Sequence, residues 1–153
     1  MKQKAIKLPL SQKTLAELRQ ALAKEPAVLA AYLFGSQALG YAAQKSDFDI
    51  GLIVQDDDAV DYRQYYSQVT NAIKGKKVDV RLVAVDDFNP LFAFNVIKPN
   101  LCLYQKSEED RVMVEKKIMK TYFDSQHMRD IYRDYLDKAF QEGSFGHAVK
   151  FNA

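Results

Sequence analysis

Two aspartates one residue apart, Asp47 and Asp49, open the apolar run FDIGLIV. In a strand, residues i and i+2 point to one face, so Asp47, Asp49 and Gly51 share a side while Phe48, Ile50 and Leu52 take the other. Carboxylates at that spacing lie about 6.6–7 Å apart along the strand, close enough to converge on one divalent ion or a pair. Left unpaired beside such neighbours they would be costly, so a cation or a network is expected. Upstream, Gly35-Ser36 follows the apolar run VLAAYLF. Glycine there lets the backbone turn and approach a ligand. Ser36 then opens a short helical segment, Gln37 to Ala43, whose first N–H groups and hydroxyl can face an anion. A third acid, Asp79, sits in KVDVRLV, opposite Val78, Val80 and Leu82. Carboxylates gathered on one side of a sheet and phosphate donors on the other suit a nucleoside triphosphate carrying divalent metal, and two-metal sites hold their ions roughly 3.5–4 Å apart.

The elements that must position these residues are readable in order. Ser11 to Lys24 is expected to be a helix with Leu15, Leu18 and Leu22 on one face, Thr14 and Glu17 as a capping box and Pro26 beyond its end. Val28 to Phe34 and Phe48 to Val54 are expected strands. Asp56-Asp57-Asp58 reads as a solvated turn in which Asp58 caps a helix running to about Lys74, with Val60, Tyr65, Val69 and Ile73 inward and Gly75 as its stop. The strand of Asp79 follows. Asp86 or Asp87 is expected to cap a helix with Pro90 near its start and Pro99 past its end. Leu101 to Gln105 is a short fourth strand. Ser107 caps a long helical region reaching Glu142, with a break at Asp124-Ser125 and Gly143 as stop. That region is rich in tyrosine and amphipathic, fit to fold back on the sheet or to face a partner.

Gly35-Ser36, ten intervening residues and Asp47-Phe48-Asp49 match the GSx10DxD signature of the polymerase-β-like nucleotidyltransferases. The chain resembles their minimal (MNT) members in particular: Ala38, Gly40, Ala42 and Ser46 fit the MNT pattern, and Asp79 falls where the third metal ligand follows. Many members carry an arginine where this chain has Leu39. The resemblance implies an α/β (α+β) fold, a small mixed sheet flanked by helices with a C-terminal helical extension. The nucleotidyltransferase core would occupy residues 1–106, and residues 107–153 would form the extension, packed on the core or a partner within one structural domain. It also implies that Asp47, Asp49 and Asp79 hold two Mg²⁺ ions, that Gly35 and Ser36 grip the β- and γ-phosphates of ATP, and that an acceptor hydroxyl attacks the α-phosphorus. Small stand-alone members with such an extension are the antitoxins of HEPN–MNT pairs, which AMPylate a tyrosine of their HEPN ribonuclease toxin. This chain lacks the toxin's ribonuclease motif, so the resemblance assigns it the antitoxin role. An enzyme adenylylating a small molecule such as an aminoglycoside, and a non-catalytic protein that masks the toxin by contact, are the alternative readings.

Composition sets the remaining bounds. A chain of 153 residues suits one domain. Its net charge of +2, from 22 basic and 20 acidic residues, gives no electrostatic footprint for direct nucleic-acid binding. Cys102 is the one cysteine, so no internal disulfide can form. No apolar run approaches the roughly 18 residues of a membrane span, and MKQKAIKLPL lacks the long apolar region of a secretion signal, so a cytoplasmic protein is expected. A calcium loop at Asp47-x-Asp49-x-Gly51 is ruled out by Ile50, Leu52, Ile53 and Val54, which make it a strand. His127 and His147 lie on unlike segments and form no metal pair.

Overall fold

The computed structural model describes residues 8–39, 47–56 and 61–143. In chain order these form α1 (Gln12–Ala23), β1 (Val28–Phe34), α2 (Gly35–Leu39), β2 (Phe48–Val54), α3 (Tyr62–Ala72), β3 (Val78–Ala84), α4 (Pro90–Ile97), β4 (Cys102–Gln105), α5 (Glu108–Asp124) and α6 (Gln126–Gln141). The four strands make one mixed sheet in the order β3-β2-β1-β4. β1 pairs antiparallel with β2 and with β4, and β2 pairs parallel with β3. A parallel pair needs a long crossover, and α3 supplies it.

Strand alternation sends apolar side chains to both faces, and each face is covered by its own helices. On one face Leu15, Leu18 and Leu22 of α1 and Tyr65 and Val69 of α3 pack on Phe48, Ile50, Leu52 and Val54. On the other, Ala93, Val96 and Ile97 of α4 and Val114 and Ile118 of α5 pack on Ala30, Tyr32, Ile53 and Val83. The inner strands are buried almost throughout, which is why β1 and β2 read as near-continuous apolar runs.

β1 and β2 fall where the sequence places them; several caps do not. Ser11, not Thr14 of the expected box, caps α1, its hydroxyl accepting from the Thr14 N–H at 3.1 Å. A cap must directly precede the first helical residue, and α3 begins late enough that Asp61 does this, accepting from the Arg63 N–H at 3.0 Å. The expected cap Asp58, with Val60, lies outside the described residues. For α4, Pro90 fixes the first helical position, so the adjacent Asn89 caps it through the Phe92 N–H at 3.0 Å, in place of Asp86 or Asp87. Ser107 caps α5 as expected, and the break falls at Ser125. α5 folds back onto the sheet through Val114 and Ile118, whereas α6 buries none of its residues.

Gly51 shows how tightly α4 is seated. A Cβ there would stand 2.4 Å from Val96 Cγ1. Gly51→Ala should therefore cost about 1–3 kcal/mol in urea unfolding through overpacking. Val96→Ala in the same chain should return part of that loss, whereas additive losses would show that the two sites are not in contact.

Candidate active site

The acidic residues gather at one end of the sheet, on the face covered by α4 and α5. β1 delivers Phe34 opposite Asp49, and the parallel pairing sets Asp49 beside Asp79 in register. Asp47 directly precedes β2. Directly after β1, Gly35 adopts φ +70, a left-handed conformation that glycine tolerates best. A Cβ on it would stand 2.1 Å from Asp49 Oδ2, so the backbone at the start of α2 is pressed against this carboxylate. Ser36 is the next residue of α2 and is half-buried. Of the segment expected from Gln37 to Ala43, Gly40 to Ala43 lie outside the described residues.

Electrostatics single out Asp49. Burial pushes its carboxyl above the ordinary value, the negative charges of Asp79 and then Asp47 push the same way, and Arg81 opposes them. The outer two carboxylates are each turned to a cation: Asp47 Oδ2 lies 3.7 Å from Lys77 Nζ, and Asp79 Oδ2 accepts from Arg81 Nε at 3.1 Å. These ion pairs are exposed, and such pairs contribute little, about 0–1 kcal/mol. Among the described residues no three acidic, histidine or cysteine side chains already converge as a metal site. Asp49 is thus brought against Gly35 and beside Asp79, while Asp47 and Asp79 face Lys77 and Arg81 instead of a common point. As a donor set the three still suit a hard divalent cation: they offer oxygen ligands, and the outer two are held by surface pairs a metal can displace.

Lys77 and Arg81 are the site residues that the sequence reading missed. Their signal was present, since Lys77, Asp79 and Arg81 alternate along KVDVRLV and so share a face. A cavity of about 640 Å³ lined by Arg19, Cys102, Lys106 and Arg111 lies along β4, at the opposite edge of the sheet, and takes no part in this arrangement.

The sequence matches the polymerase beta nucleotidyltransferase domain over residues 16–109. No curated protein matches it significantly. Solved structures do. One is a chain of a toxin–antitoxin crystallised with AMP-PNP, 20% identical, TM-score 0.54, with 80% of this chain and 98% of that one covered. Another comes from the toxin–antitoxin MntA–HepT, 19% identical, TM-score 0.54, covering 82% and 99%. A third comes from a Shewanella oneidensis complex of a tri-AMPylated HEPN toxin with an MNT antitoxin, 18% identical, TM-score 0.52, covering 83% and 99%. At these identities the likeness is one of fold.

A carboxyl whose pKa is raised in the fold favours folding while protonated, and that contribution is lost as pH rises through the raised value. At neutral pH Asp49 therefore opposes the fold of the metal-free protein. Asp49→Asn should raise its Tm at pH 7 and narrow the gap as pH falls below the carboxylate range. A lower Tm at pH 7 would assign Asp49 a structural bonding role instead.

Proposed function

The chain belongs to the polymerase beta nucleotidyltransferase family, and from that premise we propose that it transfers AMP from ATP to a tyrosine hydroxyl of a HEPN-type ribonuclease, silencing it as an antitoxin. The observation that supports this most is the juxtaposition of Asp49 with the backbone at Gly35, with Asp79 in register beside it. Backbone N–H groups that could donate to phosphate and carboxylates that could bind metal thus lie on adjoining strand ends, which supports a site for a triphosphate and its cations.

In this reading Asp47, Asp49 and Asp79 would hold two Mg²⁺ ions. Bound there, divalent cations neutralise phosphate charge and lower the pKa of the acceptor hydroxyl. Lys77 and Arg81 pair with Asp47 and Asp79 in the metal-free protein. The Gly35 and Ser36 backbone N–H groups and the Ser36 hydroxyl bind the β- and γ-phosphates and orient them as leaving group. The close approach at Gly35 fixes the distance between that cradle and Asp49. The acceptor hydroxyl gives its proton to solvent and its oxygen bonds to the α-phosphorus as the bond from that phosphorus to the bridging β-phosphate oxygen breaks in line, and pyrophosphate departs. Positioning and charge neutralisation supply most of the rate enhancement. AMP on the ribonuclease adds bulk and negative charge beside a site that must bind RNA phosphates, which explains the silencing.

Co-expression with a HEPN-type ribonuclease followed by intact-mass spectrometry tests this. The ribonuclease should carry one or more AMP increments, absent when Asp49→Ala or Asp47→Ala replaces the wild type. An unmodified yet fully neutralised ribonuclease would mean masking by contact. Transfer to an aminoglycoside and to no protein would mean a small-molecule enzyme. Ser36→Ala should raise KM for ATP about tenfold or more while changing kcat less.

A further inference from the structure

Outside the acidic end, the feature that folding leaves least explained is α6. It spans Gln126–Gln141 with no buried residue, and isolated helices of that length are marginal in water. Its apolar side chains are nonetheless ordered: Met128, Ile131, Tyr132 and Tyr135 recur at i, i+3, i+4 and i+7, one stripe, with 66%, 50%, 63% and 67% of their surfaces exposed. Together these amount to exposed area on the order of 500 Å², more than half of the roughly 800 Å² that one partner contributes to a standard protein interface. Tyrosine and methionine are also among the residue types enriched in interface centres.

The stripe's position follows from how α5 runs. Arg111, early in α5, donates to Gln105 Oε1 at 2.7 Å, and Gln105 pairs with Ala30 of β1. One turn on, Glu115 accepts from the buried hydroxyl of Tyr32, two residues further along β1. Two more residues along, Phe34 lies opposite Asp49 and meets Phe92 of α4 edge-on at 5.7 Å. Phe94 of the same helix stacks on Tyr122, near the end of α5, at 4.0 Å and 11°. α5 therefore climbs towards the sheet end that carries the carboxylates, on their own face. α6 departs from there, and its root is pinned: Arg129 donates to the Tyr122 carbonyl at 2.7 Å and to Ser125 Oγ, with its guanidinium 4.0 Å above the Tyr122 ring.

We propose that the stripe of Met128, Ile131, Tyr132 and Tyr135 is the surface on which the acceptor ribonuclease docks, seating its tyrosine at the acidic end of the sheet. This deepens the function proposed above and rests on it for the identity of the partner. Position favours that occupant: α6 leaves the core at the sheet end that carries the carboxylates, rooted there by Arg129, and that is where an acceptor side chain has to arrive.

The test uses Ile131→Glu/Tyr135→Glu, which touches no buried position and should leave helical content and Mn²⁺·ATP binding unchanged. Against a HEPN-type ribonuclease, co-expressed and then titrated, the variant should bind about 100-fold more weakly, as loss of two interface anchors implies. The AMP increments on the ribonuclease should disappear with it. Wild-type binding and modification by the variant would overturn the docking surface. So would failure of the wild type to bind the ribonuclease, or a wild-type dimer in sedimentation that the variant dissociates, which would make the occupant a second copy. Binding that depends on α6 without any AMP transfer would uphold the surface while refuting the transfer reaction.

Discussion

Negative charge concentrated at one end of a sheet is the constraint on which the rest of this molecule turns. Asp49 is held half-buried against the Gly35 backbone, with Asp79 beside it and Asp47 two residues away. Among the described residues no cation pairs with Asp49 directly. Its burial and both neighbours work against its charge, while Arg81 gives partial relief. Such an arrangement opposes folding at neutral pH, and a bound cation would relieve it. The surroundings are built to tolerate it: apolar layers on both faces of the sheet hold β1, β2 and β3 in place whatever their ends carry. Lys77 and Arg81 hold the outer carboxylates through exposed, easily exchanged pairs.

Much of this was legible in the sequence because it depends on local periodicity. The run FDIGLIV fixes by alternation which face receives Asp49 and which receives Ile50, and the structure agrees. KVDVRLV does the same for Asp79, and the parallel register then sets the two acids side by side. What was not legible depends on where a helix begins or on what approaches from far along the chain. Asp61 and Asn89 cap α3 and α4 where other aspartates looked as suitable, since several polar residues precede each helix and only the first helical turn selects one. Gly51 reads as a spare strand glycine until Val96, far along the chain, is seen to fill the space of its missing side chain. Arg81 is hard to read because the sequence alone does not tell whether Asp79 faces a metal or the arginine two residues on.

The C-terminal helices divide the same way. Their boundaries followed from Ser107 and Ser125, but their fates did not, since both carry apolar residues at helical spacing. α5 finds the sheet, and Glu115 meets the buried Tyr32 hydroxyl there, with Arg111 3.2 Å away as counter-charge. α6 buries none of its residues against the core. A helix that is amphipathic yet unburied, rooted by Arg129 at the acidic end, complements a core with no substrate domain of its own among the described residues. The open end of the sheet would supply the chemistry, and α6 a means of bringing the acceptor to it.

The central claim is that Asp47, Asp49 and Asp79 form a divalent-cation site completed by a nucleoside triphosphate. Mn²⁺ titration followed by electron paramagnetic resonance, with and without a non-hydrolysable ATP analogue, tests it without requiring an acceptor. Wild-type protein should take up Mn²⁺ at least tenfold more tightly when the analogue is present, and Asp49→Ala should lose that enhancement. Equal uptake by wild type and Asp49→Ala with the analogue present, or no uptake by either, would contradict the account.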